Sequence, residues 1–190
     1  MIENDDQTVE RYISVDVETA GPNPWDYSLL SIGACTVFEP ASSFYVELQP
    51  VNDKFLRKAM QVSGLSMAKL KENGLPQKEA MSRFSTWLAE VTPPERRPVF
   101  VAFNAPFDWM FVNDYFHRYL GNNPFGHNAL DVKAFYMGMT GAHWSETSMK
   151  QITRRYFGER ELTHNALQDA LDQAEIFRSM LTESRQDQRG

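Results

Sequence analysis

Four acids and one histidine hold most of the chemical content of this sequence: Asp16, Glu18, Asp108, Asp169 and His164. Asp16 and Glu18 stand two residues apart in Arg11–Glu18, where Tyr12, Ser14, Asp16 and Glu18 alternate with Ile13, Val15 and Val17. That alternation predicts a strand with both carboxylates on one face. An ordinary solvated strand face would account for such a pair. But Asp is depleted in strands, and two like charges facing the same way repel unless a cation lies between them. Asp108 falls in the first turn of a helix predicted over 107–120, where the helix dipole favours an acid. It also lines up with Val112, Tyr115 and Tyr119, so an acid heads an aromatic stripe. Asn165 and Gln168 have the spacing of a capping box and predict a helix from Ala166 to about Leu181. Its expected buried face is Ala166, Leu167, Ala170, Leu171, Ala174 and Phe177, with Asp169 at the edge and His164 just before the cap.

Carboxylates converging from separate elements suit hard cations such as Mg2+ and Mn2+, which take oxygen ligands. A pair of such ions is the usual arrangement for phosphoryl transfer. Histidine is the natural base for deprotonating water near neutral pH.

The elements that must position these groups read as follows. Leu29 to Phe38 and Phe44 to Leu48 are a second and third strand, forming with the first an antiparallel meander. Helices are expected over 54–61, 66–72 and 79–91, a strand over 99–103, the helix that Pro106 starts, a short strand over 129–132, and helices over 146–157 and 165–181. The expectation is an α/β fold with a mixed sheet covered by helices on both faces. A single domain over 11–182 is expected, with polar tails at 1–10 and 183–190. Hydrophobic residues at 42% and charged residues at 23% argue for a globular chain rather than a disordered one. No apolar run is long enough to span a bilayer. The single cysteine, Cys35, favours a reducing compartment such as the cytoplasm and reads as a small buried apolar residue. A net charge of −6 does not suit gripping long duplex through many phosphates, and it points instead to a short single-stranded end. Trp25, in the breaker-rich loop after Glu18, is the aromatic best placed to stack on a base.

Three motifs then carry a resemblance. Asp16-Val-Glu-Thr19, Phe103-Asn-Ala-Pro-Phe-Asp108 and His164-Asn-Ala-Leu-Gln-Asp169 resemble, in order and spacing, the three motifs of the DEDDh 3′–5′ exonucleases. Leu30-Ser-Ile-Gly-Ala34, Val62-Ser-Gly-Leu-Ser66 and Leu130-Asp-Val132 are weaker matches between them, so the likeness runs from about Tyr12 to Met180. It departs at Phe103, where the family often has His, and at Ala20, where Thr is common. It is nearer the ribonuclease T and proofreading-subunit branch than oligoribonuclease.

The resemblance implies a ribonuclease H-like fold with a five-stranded mixed sheet. It implies two divalent cations, Mg2+ or Mn2+, held by Asp16, Glu18, Asp108 and Asp169, with His164 activating the attacking water. Thr19 and Phe107 would lie beside the terminal nucleotide. The implied partner is the 3′ end of single-stranded DNA or RNA, with no membrane; some relatives are homodimers. Two other readings remain: a nucleic-acid-binding module of the same fold that has lost catalysis, and a phosphodiesterase acting on small nucleotide esters.

Overall fold

The computed structural model describes residues 9–158 and 165–187. The chain runs β1 (Glu10–Thr19), β2 (Leu29–Thr36), β3 (Ser43–Glu47), α1 (Arg57–Ser63), α2 (Met67–Asn73), α3 (Gln77–Val91), β4 (Arg97–Ala102), α4 (Ala105–Leu120), β5 (Ala129–Asp131), α5 (Val132–Thr140), α6 (Met149–Phe157) and α7 (Ala166–Asp187). The sheet has five strands in the order β3-β2-β1-β4-β5. β1 pairs antiparallel with β2, and β2 with β3, while β4 lies parallel to both β1 and β5. The expected meander and mixed sheet are therefore both present, and β1 is central.

Apolar residues fill both sides of the sheet. Ile13, Val15 and Val17 pack with Phe84 and Leu88 of α3 and Phe111, Val112 and Tyr115 of α4. On the opposite face Cys35, Val101, Val132, Tyr136, Ile152 and Phe177 form a second core, drawn from α5, α6 and α7. Cys35 is 2% exposed, as its predicted role requires, and burial pushes its thiol up to about 12.

Three expectations are corrected. The helix expected over 146–157 is a short 3-10 turn at Trp144–Glu146 followed by α6, which Ser148 and Gln151 open as a reciprocal cap. Helix α5 had no counterpart in the sequence reading. Its Asp131 cap accepts from the Ala134 N–H at 2.7 Å, and burial of Val132 and Tyr136 holds it down despite Gly138. The segment expected as a tail from 183 continues α7, where Glu183 pairs with Arg155 and accepts from the Tyr156 hydroxyl at 2.6 Å.

Within α7 the buried face is also rotated from the expected one. Asp172 and Gln173 are 4% and 1% exposed, whereas Leu171 is 39% exposed. Asn165 does cap the helix, accepting from the Gln168 N–H at 3.1 Å, and the Gln168 side-chain amide donates to Asp172 at 2.9 Å.

Candidate active site

The site forms where the sheet opens. β4 follows β1 only as far as the Ser14–Val101 pair. Beyond that, β1 continues through Val15–Thr19 with β2 alone beside it. The Val17 N–H in this unpaired stretch donates to Asp108 Oδ1 at 3.1 Å. Asp108 thereby takes the place of a missing strand, which explains why an acid heads the buried stripe of α4. It is 4% exposed.

Asp16 and Glu18 project from the face of β1 that α7 covers. They can come close to Asp169 because of Gly33, the β2 residue paired with Asp16. A Cβ on Gly33 would lie 2.1–2.2 Å from the backbone of Ala166 and Leu167, far inside contact distance. The first turn of α7 rests directly on this strand, and only glycine leaves room for it. Ser14 fixes the next turn by donating its hydroxyl to the Ala170 carbonyl at 2.8 Å. Asp16, Glu18 and Asp169 then offer carboxylate oxygens all within 4.8 Å of one another.

The corner between β4 and α4 sets Asp108. Asn104 has a left-handed backbone, with φ 63°, uncommon for a residue with a side chain. Side chains from elsewhere secure the corner on both sides. Gln173 Oε1 accepts from the Phe103 N–H at 2.7 Å, and Asp131 Oδ2 accepts from the Ala105 N–H at 2.6 Å. Gln173 also donates from Nε2 to Asp16 Oδ1 at 2.7 Å. Neither Gln173 nor Asp131 was singled out as a site residue in the sequence. Gln173 had a signal: it lies four residues after Asp169, one turn along the same side of the helix.

The cluster is electrostatically unfavourable without a counterion. Burial raises the Asp16 carboxyl well above the usual range, and Asp108, Asp169 and Glu18 add to the rise, while the Gln173 hydrogen bond opposes it. Burial, then Asp169, pushes Glu18 up to about 7. Burial pushes Asp108 up to about 8, against the hydrogen bond from Val17. Hard oxygen donors this close, each resisting its charge, fit a divalent cation.

Beside Glu18 lies a cavity of about 510 Å³ whose lining includes Thr19, Pro22, Leu56, Val62 and Phe107. The Thr19 hydroxyl donates to the Gly21 carbonyl at 2.9 Å, so it shapes the loop. Phe107 packs on Phe111, with ring centroids 5.5 Å apart. The 7-residue helix α1 buries none of its residues and leaves Leu56 and Val62 on the cavity at 43% and 44% exposure. Trp25 stands 87% exposed beside His117 and Arg118. His164 lies outside the described residues.

The family model described as the 3′-5′ exoribonuclease Rv2179c-like domain matches residues 11–181. The chain is similar to the 3′-5′ DNA exonuclease Cap18 of Escherichia coli, at 48% identity over 169 residues, covering 89% of this chain and 90% of that protein. Among solved structures, the nuclease domain of 3′hExo, a DEDDh family member bound to rAMP, superposes with a TM-score of 0.76 at 12% identity, over 91% of this chain and 92% of that one. Escherichia coli Exonuclease I in complex with a dT13 oligonucleotide gives 0.70 at 18% identity, over 94% of this chain and 42% of that one. At those identities the two structures share this chain's fold.

Proposed function

Because the chain belongs to the Rv2179c-like 3′-5′ exoribonuclease domain family and so is a 3′–5′ exonuclease, we propose that it shortens single-stranded DNA or RNA with two divalent cations, releasing nucleoside 5′-monophosphates. The observation that carries the reading is the convergence of Asp16, Glu18 and Asp169 oxygens within 4.8 Å. Asp16, Glu18, Asp108 and Asp169 hold the cations, Mg2+ or Mn2+, in this reading. When bound, such ions polarise the scissile phosphate and stabilise both attacking and leaving oxygens.

The protein's own groups do the rest. Asp16 and Glu18, fixed by β1, resist ionisation unless their charges are offset, and Asp169 is brought to them by α7. His164 is the general base in this proposal, from its residue type and its place one residue before the Asn165 cap. Thr19 and Phe107 flank the terminal nucleoside, and the apolar cavity reaching to Leu56 and Val62 receives it. The lining offers a base few polar side chains, Glu18, Thr19 and Lys58 among them, so contact there is with ring faces more than ring edges. A single exonuclease domain over 11–182 carries the whole activity. A reducing cytoplasm suits the lone, buried Cys35. Among the described residues no helix is long and apolar enough to cross a membrane. Assembly as a homodimer is open to a sizing measurement.

The test is release of mononucleotides from single-stranded oligonucleotides labelled at the 3′ end, DNA and RNA in parallel, with Mg2+, Mn2+ or EDTA. Metal-dependent release is expected. A chain that releases none under either metal overturns the reading. Faster turnover of a chromogenic nucleotide ester than of an oligonucleotide would point instead to a small-ester phosphodiesterase.

A further inference from the structure

We propose that Gln173 is a positioning residue that aims the Asp16 carboxylate at the cation site and ties it to the corner carrying Asp108; this rests on the metal-dependent reading above. Gln173 is 1% exposed, so its amide is shut off from water and both ends need protein partners. Both have them. The Phe103 N–H donates to Oε1 at 2.7 Å, and Nε2 donates to Asp16 Oδ1 at 2.7 Å. The chemistry of these partners fixes which way the amide faces, because a backbone N–H can only donate. The NH2 end must therefore point at Asp16, where a donor favours an ionised carboxylate over a protonated one.

The link spans all three segments of the site. Gln173 stands one helical turn after Asp169. Asp16 is on β1. Phe103 immediately precedes Asn104, whose left-handed backbone starts the helix that holds Asp108. With Oδ1 engaged by Gln173, the Asp16 carboxyl cannot swing freely about its own side-chain bonds. A glutamate at 173 lacks the amide donor, and a methionine fills the space with no donor and only a weak acceptor. Gln173 is therefore expected to act on cation affinity through Asp16 without touching nucleic acid.

The experiment compares wild type with Gln173→Met, Gln173→Asn and Ser14→Ala. Ser14→Ala removes the neighbouring buried bond between β1 and α7, Ser14 Oγ to the Ala170 carbonyl, without touching a carboxylate. Mn2+ uptake is measured by titration calorimetry with no nucleic acid present. Melting is followed in EDTA, and kcat and KM for an oligonucleotide are measured at a Mn2+ concentration near the wild-type dissociation constant. Gln173→Met is expected to bind Mn2+ about ten-fold more weakly, since partners that orient a ligand commonly matter to that extent. Its kcat should fall, as fewer molecules carry the metal, while KM for the oligonucleotide stays within about two-fold. Ser14→Ala should melt earlier yet keep its Mn2+ affinity. If Gln173→Met does not fold, Gln173→Asn, whose shorter amide cannot reach both partners, must show the same loss.

Unchanged Mn2+ affinity in a folded Gln173 variant overturns the proposal. So does an equal loss in Ser14→Ala, which would mean that α7 docking in general sets the affinity. A wild-type chain that takes up no Mn2+ overturns the metal reading itself, and this inference with it.

Discussion

The two sides of the active site are built in opposite ways. The carboxylate side is part of the core: Asp108 and Gln173 are 4% and 1% exposed, and each makes a hydrogen bond to a distant segment. The cavity side, proposed above to receive the nucleoside, is more loosely packed. No residue of helix α1 is fully buried; Met60 packs on Ala20, Leu30 and Leu70, and the Leu56 N–H donates to the Ala20 carbonyl at 2.8 Å near its start. Charges that must face a cation need placement to a fraction of an ångström. A surface that must accept successive bases and release each product gains from shallow apolar contact. The same 190 residues thus supply a rigid charged wall and a yielding apolar one.

Changes on the rigid side should have the larger effects. Asp108→Asn should reduce turnover by about a thousand-fold or more while the chain still folds, because it removes the negative charge of a proposed cation ligand but not the side chain's bulk. Near wild-type activity in that variant breaks the assignment. Asp108→Ala should also melt earlier, by about 1–3 kcal/mol of stability, because the Val17 N–H loses its acceptor. Gly33→Ala should cost about 1–3 kcal/mol or more as α7 is pushed off β2, and Mn2+ uptake should fall with it. A variant with unaltered melting and uptake would mean that α7 can shift at little cost.

The wall's dependence on a counterion predicts a pH effect. Glu18 and Asp108 titrate at about 7 and about 8 in the metal-free fold, above ordinary carboxylates. Folding therefore favours their protonated forms. The stability they contribute is fully present below the ordinary carboxylate range and is lost as pH rises through about 7 to 8. Melts in EDTA should move to lower temperature across that window, and Mg2+ should reduce the shift. A melting temperature that climbs with pH in EDTA contradicts this account.

On the yielding side, Leu56→Ala and Val62→Ala should raise KM by about five-fold, a loss of about 1 kcal/mol of apolar contact, with kcat and melting nearly unchanged. A large fall in kcat from either would show that α1 positions the reacting phosphate and is not merely a clamp.

Much of the rigid wall was legible in the sequence because it follows from local periodicity. The alternation in β1, the central apolar run of β2, Pro106 at the start of α4 and Asn165 at the start of α7 each fix an element from neighbouring residues alone. The likeness in motif order then joined Asp16, Glu18, Asp108 and Asp169. What local patterns missed depends on contacts far along the chain. Hydropathy puts Leu171 inside and Gln173 outside, yet Gln173 is the buried one because two distant polar groups receive it. Gly33 reads as one small residue in a strand until α7 lies on it. Helix α5, short and interrupted by Gly138, exists because Asp131 and the second core hold it.

The bond from Ser14 to the Ala170 carbonyl joins positions 156 residues apart. A ribosome makes the Asp16–Glu18 strand near the start of the chain and the Asp169 helix near its end. During synthesis the first two acids exist before the last one. In the proposed reading the cation site is complete only when these two segments, far apart along the chain, have closed on each other.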